Sequence, residues 1–560
     1  MGFGSMNPQG HLHHLNGFAL ELSVVIAAGL GFTLFGYDQG VMSGIITEPL
    51  FVDTFPKMST DYKTAAIQAL VVAIYELGAL LGAIAIYFVG DKLGRRRAVF
   101  VGSIWMIIGA IIQTASFSLG QLIAGRIVTG IGNGMNTSSI PVWQSEMAAP
   151  QRRGFLVLFE GALIAGGIAV AYSVNLGFWF LQPQFGNPST SVQWRFPFAF
   201  QIVFAVFMMV GVYLLPESPR WLMKHGQEQD AKQVLGRLRA NGNAEDPVVE
   251  RELMEMKHAI EATERGGPLT AKELFTNGPE QNLNRVLLAV GAQAMQQIGG
   301  INLVTYYATS VFEDSIGTSP TVSRILTVAN GWEYFASAVV ALFVVDRLGR
   351  RKLMIIGAAV MAISAMFLAG FLSSGEKNLA IGVFTFVFNS GFAFGWLGTT
   401  WLYVGGRLFL KRSHSQHCHL QPAEITPLRI RAQANALATC ANWLGNYLIV
   451  QIAPIGLNSI DWKFYFVFMC TNLAHIPIVY FLYPEPKGWS LEQLDMIFEE
   501  AHRQGRNAVF VEKEYRFLQR EGHPEELESR LKAKGDGTGG GLEEKRTENV
   551  DQANKRDMVA

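Results

Sequence analysis

Charge is scarce in this 560-residue chain. Only 16% of its residues are Asp, Glu, Lys or Arg, against about a quarter in ordinary soluble proteins, while 50% are hydrophobic. That balance, with a mean hydropathy of +0.23, excludes a water-facing globule and describes a membrane protein. Neither sign predominates, at 45 basic and 45 acidic side chains, so no bulk positive field exists to attract nucleic acid. Cysteine is nearly missing: three in this length exclude a disulfide-built secreted domain, with Cys440 and Cys470 in apolar helices and Cys418 in an unusual segment near the end of helix ten. No cleavable signal is evident, and the polar segment 1–17, with His11, His13 and His14, reads as a mobile tail rather than a metal site. No nucleophile, base and oxyanion arrangement and no metal-ligand spacing occurs outside one suspect insertion, so no enzyme, cofactor or metal is expected. In excess are 58 glycines and 11% aromatics, which suit closely packed transmembrane helices with aromatic belts.

A helix needs about 20 apolar residues to cross the hydrocarbon core. Stretches of that kind lie at 19–46, 64–90, 98–117, 119–140, 155–181, 196–215, 286–312, 323–345, 353–373, 379–404, 433–455 and 462–483. These twelve spans, helices one to twelve, form an all-α membrane protein of two six-helix bundles, 18–215 and 286–483, joined by a polar helical linker at 216–285. Segment 484–560 is a charged tail, expected to be disordered beyond its first helix. Short loops after helices two, four and eight carry Lys92, Arg95–Arg97, Arg152, Arg153, Arg347 and Arg350–Lys352, while loops after one and seven carry Glu48, Asp53, Glu313 and Asp314. The excess of basic residues marks the cytosolic side, so both termini are expected in the cytosol.

A long-range repeat supports the division. Asp91-x-x-Gly94-Arg95-Arg96 recurs as Asp346-x-x-Gly349-Arg350-Arg351, and Glu146 and Glu424 each lie seven residues before an arginine, Arg153 and Arg431. Two copies of one six-helix unit typify transporters that bind substrate near the bilayer midplane, a rule drawn from such transporters themselves.

Further motifs complete the set: Gly36-Tyr37-Asp38-Gln39-Gly40, Gly125-Arg126, Pro141-Val142-Trp143-Gln144-Ser145-Glu146, Pro216-Glu217-Ser218-Pro219-Arg220, and Gln296-Gln297-Ile298-Gly299-Gly300-Ile301-Asn302. With these in order, the chain resembles the sugar porters of the major facilitator superfamily, particularly fungal members, over about residues 18–500. The resemblance implies the major facilitator fold, alternating access, a monosaccharide or polyol substrate, a monomeric functional unit and the plasma membrane.

An ionisable group at membrane depth costs roughly 2.5–3.5 kcal/mol on insertion scales, so each needs a reason. In the first half these are Asp38, Glu76, Arg126 and Glu160. Arg126, the lone cation, stays charged and must find a carboxylate, whereas a surplus acid can hold a proton. The resemblance places Asp38 where proton-coupled porters use it, with Arg126 as partner; the competing reading is a permanent bridge that only ties helices one and four. Glu160 stands next to Gly161, where hexose porters offer a glutamine. Glu333 either binds a substrate hydroxyl or, protonated, bonds a neighbouring helix.

A sugar is a ring of hydroxyls with no net charge, and amides and aromatic faces recognise it. Helix seven offers Gln296, Gln297, Asn302, Tyr306 and Tyr307, helix ten Trp401, and helix eleven Asn442, Trp443 and Asn446. Positions 296 and 302 lie about 120° off one helical face, but Gly299 and Gly300 can break the helix between them. By resemblance, Gln296, Gln297, Asn302, Trp401 and Asn442 match sugar-contacting positions. Gating is expected of Arg95, Arg96 and Arg153 with Glu146, and of Arg350, Arg351 and Arg431 with Glu424. Single exposed pairs contribute only about 0–1 kcal/mol, so a network is required.

Segment 404–421 interrupts the family pattern, in which Trp-Leu-Tyr runs directly into Pro-Ala-Glu. From Asp91 to Glu146 is 55 residues and from Asp346 to Glu424 is 78; without the 18-residue segment the second distance is 60. It begins with valine, whose codons start GT, and ends with glutamine, for which CAG is a codon, so it reads as a retained intron or else as a genuine loop. His414, His417, Cys418 and His419 within it are assigned no metal. The functional expectation is proton-coupled uptake of a neutral sugar or polyol, with uncoupled facilitation and a non-transporting sugar sensor as alternatives.

Overall fold

The computed structural model describes residues 6–58, 64–149, 152–188, 190–265, 271–374, 379–405, 425–427, 429–489 and 491–520. Every regular element among them is helical. Helices one to six are Gly17–Ile45, Ala65–Leu93, Arg95–Thr114, Leu119–Met147, Arg153–Trp179 and Val192–Leu214. Helix seven comes in two pieces, Asn282–Ile298 and Ile301–Val311, followed by helix eight (Pro320–Leu348) and helix nine (Arg350–Ser373). Helix ten runs from Leu379–Phe392 through a π-helical turn, Ala393–Leu397, into Thr399–Gly405; helices eleven and twelve are Arg431–Ile460 and Lys463–Leu482. Residues 406–421 of the suspected insertion, and Glu424, lie outside the described residues.

Local chemistry sets several boundaries. Ser118 and Ser319 cap helices four and eight, accepting N–H bonds from Gln121 and Val322, and Pro320 opens helix eight where its missing N–H costs nothing. Gly94 and Gly349 stop helices two and eight at φ +87° and +89°, a conformation that side chains resist. Large apolar side chains such as Phe88, Phe207, Phe343 and Phe481 face outward, as bilayer-facing helices require.

Nine described spans are long and apolar enough to cross a membrane on composition alone. The helices outside that set are four, seven and eleven, which carry Arg126, the amides from Gln293 to Asn302, and Asn442 with Asn446. Helix seven packs on eleven, whereas helix four packs on two and three within the first half.

Within the first half, helix one lies along five, and two and three along four. Glycine makes this approach possible: a Cβ at Gly36 would overlap the Ile164 carbonyl, and one at Gly134 the Ala79 carbonyl. Between halves, helix two packs on eleven, five on eight, and one on seven.

The N-terminal segment departs from the mobile tail expected of it. Arg96 Nη1 donates to the Asn7 carbonyl at 2.7 Å, and Arg237 donates to the carbonyls of Gln9 (2.7 Å), Leu12 (2.6 Å) and Leu15 (3.2 Å). The Glu217 N–H donates to Pro8 at 2.9 Å. Two nearly buried guanidiniums need acceptors, and the segment's carbonyls provide them. Linker helices Pro219–Lys224 and Glu228–Arg239 thereby join the first half, whereas the tail helices Leu491–Gln504 and Ala508–Arg520 pack on the second through Asp495 with Arg285 and Gln281 Nε2 to Phe498 O at 2.7 Å.

Candidate functional site

Helix seven breaks at the paired glycines. Gly300 takes φ +98°, with the Phe468 ring against it, and Asn472 of helix twelve donates to the freed Gly299 carbonyl at 2.8 Å. Two amides before the break reach helices ten and eleven. Gln296 Nε2 donates to the carbonyls of Trp396 and Leu397, both at 2.9 Å. Its Oε1 accepts from Asn442 Nδ2 at 2.8 Å, and the same Nδ2 lies 2.7 Å from Gln293 Oε1. Across the break, Asn302 Nδ2 donates to Gln297 Oε1 at 2.6 Å. The carbonyls taken by Gln296 belong to the π-helical turn, where the regular ladder leaves them available. Trp401 is half-buried on Thr399–Gly405, which packs on the first piece of helix seven. Trp443 meets Phe35 of the opposite half edge-on at 5.4 Å.

The charged residues gather on the first half's side. Asp38, Glu76 and Arg126 are all fully buried. Arg126 donates to the Val72 carbonyl at 3.0 Å and lies 4.7 Å above the Tyr75 ring, while its Nε and Nη1 have no hydrogen bond. Asp38 feels the charge of Arg126 and has the Tyr75 hydroxyl near it; no hydrogen bond of ordinary geometry reaches either of its oxygens, and among the described residues no ion pair joins it to Arg126. Glu76 accepts from the Tyr306 hydroxyl of helix seven. Tyr306, expected among the substrate contacts, is thus the bridge between the amides and the charges. Glu160 is buried with no hydrogen bond among the described residues, and Glu333 accepts from Ser337 at 2.8 Å and from Ser390 of helix ten.

On the face away from the arginine loops the halves are joined. Ser43 and Thr309 hydroxyls lie 3.3 Å apart, and Arg324 of helix eight donates to Thr47 Oγ1 at 2.7 Å with its guanidinium 3.5 Å from the Trp179 ring. Glu48 stands 3.8 Å from Arg324 and accepts from Gln182 at 2.6 Å. Burial pushes the Glu48 carboxyl above its ordinary range, against the pull of Gln182 and Arg324.

On the arginine face, Arg95 grips Glu146 with two bonds, Nε at 3.1 Å and Nη2 at 3.2 Å. Arg96 does not join that pair: it is 1% exposed and donates to the carbonyls of Val212 (2.9 Å) and Tyr213 (2.6 Å) besides Asn7. Arg351 likewise donates to Tyr480 O, and Arg431 donates to Thr426 O at 3.2 Å. The Gly-Arg-Arg turns are closed by acids instead. Glu217 accepts the Arg96 N–H at 3.2 Å, and Glu485 accepts the N–H groups of Arg350 and Arg351 at 3.2 and 3.1 Å. Burial pushes the Glu217 carboxyl up, offset by the Ser218 and Arg96 N–H groups and the nearby arginines. The side chain of Arg153 and all of Glu424 lie outside the described residues.

Residues missed by the sequence reading had signals of unequal strength. Glu217 and Glu485 each follow a proline just after the last helix of a half, a repeat visible in Pro216-Glu217 and Pro484-Glu485. Gln293 sits one turn before Gln297, and so on the same face. Trp396, 1% exposed and 5.2 Å from the His475 ring, had no signal separating it from Trp401.

The chain has recognisable relatives. A family model described as sugar (and other) transporter matches residues 23–498. The sugar transporter STL1 of Saccharomyces cerevisiae is 37% identical over 504 residues, 88% of this chain and 83% of that one. The major facilitator superfamily transporter mfsA of Aspergillus fumigatus is 35% identical over 508 residues, 88% of each chain. Among solved structures, the proton:xylose symporter XylE bound to 6-bromo-6-deoxy-D-glucose aligns at TM-score 0.70 and 25% identity, over 86% of this chain and 99% of that one.

Proposed function

The chain belongs to the sugar transporter family of the major facilitator superfamily, and from that premise we propose that it imports a neutral monosaccharide or polyol together with a proton. One observation carries this reading: a buried acid and guanidinium, Asp38 and Arg126, lie with Glu76, which accepts from Tyr306 on the helix that also carries the amides. The amides Gln296, Gln297, Asn302 and Asn442 would exchange their present hydrogen bonds for sugar hydroxyls, with the Trp401 ring as an apolar face. Because both sides of that exchange are hydrogen bonds, the net gain per contact is modest and discrimination arises from the group that would be left unpaired. Its structural neighbour XylE is a proton:xylose symporter, which supports coupling here.

In the cycle we propose, Asp38 takes a proton from the face now joined by Arg324, Thr47 and Glu48, and releases it on the arginine face. An acid paired with Arg126 and an acid carrying a proton differ by one charge, so the two states favour different placements of helices one and four. Arg95 with Glu146, already paired within the first half here, would meet the repeat-related Arg350, Arg351, Arg431 and Glu424 to hold the arginine face shut in the opposite state, with Arg96 and Arg153 anchoring the same loops. We place that face in the cytosol with both termini, and the protein in the plasma membrane as a monomeric unit.

The test is uptake of a panel of labelled sugars and polyols by transporter-deficient yeast expressing the chain with and without residues 404–421, with external pH recorded. Sugar-induced alkalinisation that is lost in Asp38→Asn while exchange of labelled for unlabelled sugar continues is the expected result. Accumulation against a gradient by Asp38→Asn would overturn the assignment. Transport with no pH change in the unmutated chain would favour facilitated diffusion.

A further inference from the structure

Glu76 is a second fully buried acid within the field of the same arginine, and the proposed cycle gives it no task. Its surroundings are specific. Oε1 accepts from Tyr306, a residue of the second half, whereas Oε2 has no hydrogen bond. Facing it are Tyr75 on its own helix, Asp38 from helix one, Arg126 from helix four, Tyr306 from helix seven and, beside Tyr306, Asn446 from helix eleven. Two acids therefore share one cation in a space closed to water. One net charge can be balanced there, so one of the two acids carries a proton.

We propose that Glu76 is the second acid of the proton site, and that Tyr306 lets sugar occupancy on helix seven decide which acid bears the negative charge. This inference rests on the proton-coupled reading above. In the state seen here the Tyr306 hydroxyl sits on Glu76, while Asp38 has the Tyr75 hydroxyl near it; in this proposal the Tyr306 donor marks Glu76 as the charged acid and leaves the proton on Asp38. Tyr306 lies on the same piece of helix seven as Asn302, so a sugar bound by that amide is placed to take the hydroxyl for itself. Deprived of its donor, Glu76 accepts the proton: the Asp38 O–H bond breaks, a Glu76 O–H bond forms, and the cluster's total charge is unchanged. Asp38, now anionic, is drawn to the two free nitrogens of Arg126, making the ion pair that this state lacks. Sugar on the second half is thereby converted into an ion pair between helices one and four of the first.

The experiment uses the purified full chain in lipid vesicles, with whichever of labelled D-glucose, D-xylose or D-sorbitol it transports, and reads two quantities: protons moved per sugar, and sugar exchange at equal pH. Glu76→Gln is expected to lose proton movement while keeping exchange, because a single acid then pairs with Arg126 whether or not sugar is bound. Tyr306→Phe, which keeps both acids, should lower protons per sugar about threefold to tenfold, the worth of one hydrogen bond. The double variant should be no worse than Glu76→Gln. Glu76→Asp should restore part of the coupling. If Asp38→Asn abolishes proton movement but Glu76→Gln preserves it, this inference fails and the coupled reading stands. If the unmutated chain moves sugar without protons, both fail. Should Glu76→Gln not reach the vesicles, an unchanged proton ratio in Tyr306→Phe overturns the inference on its own.

Discussion

The two halves share a frame, and both bring helices together through glycine, Gly36 on Ile164 and Gly134 on Ala79 in the first and Gly357 on Gly395 in the second; they differ in how the helices run. In the first, the helices are unbroken. In the second, helix seven is broken at Gly300 and helix ten loosened by a π-helical turn. The charges Asp38, Glu76 and Arg126 sit in the first, and the amides Gln296, Gln297, Asn302 and Asn442 in the second. A buried charge requires walls that do not yield, since its cost climbs steeply when a partner moves away. A ligand that must be gripped and released is better served by backbone with more than one arrangement.

Substitutions can break that comparison or sharpen it, and the glycines come first. Gly36→Val places a side chain into the Ile164 backbone, which cannot retreat, and should leave no monodisperse protein on size-exclusion chromatography. Gly300→Val meets the movable Phe468 ring and a strained φ costing of order 1–3 kcal/mol, and should give folded protein without uptake. Equal outcomes would erase the contrast between rigid and yielding halves.

Next in size are losses that separate affinity from coupling. Gln296→Ala removes an amide with three described hydrogen-bond partners and should raise the KM for sugar about tenfold to a hundredfold, with protons per sugar unchanged. A drop in that ratio would place coupling in the second half as well. Glu217→Ala and Glu485→Ala probe what the halves have in common. Each uncovers N–H groups at a Gly-Arg-Arg turn, and each should lower the Tm in detergent by a similar amount, corresponding to about 1–3 kcal/mol. A large difference would mean that the repeated turns have diverged in purpose. The smallest effect is expected of Glu333→Gln, which still accepts from Ser337 and Ser390 and should change uptake less than about twofold.

The spans were legible because twenty apolar residues admit few readings, and the repeated Asp-x-x-Gly-Arg-Arg located helices two and eight without any structure. Gly299-Gly300 was legible as a break for the same local reason. What the sequence withheld were pairings across the halves. Tyr306 and Glu76 stand 230 positions apart, and nothing in either neighbourhood indicates that the hydroxyl turns from the amides toward the acid. Arg96 was misleading in a different way. Its place in a basic loop marks a surface residue, yet burial against helix six turns it to carbonyl oxygens.

The carbonyls of Asn7, Gln9, Leu12 and Leu15 bear on how the molecule can be handled. Trimming the gene to begin at the first apolar stretch would strip Arg237 of every acceptor described for it and Arg96 of one of three, loosening the loop from beneath. An affinity handle joined directly to this segment would crowd the same spot, so a purification tag belongs away from it.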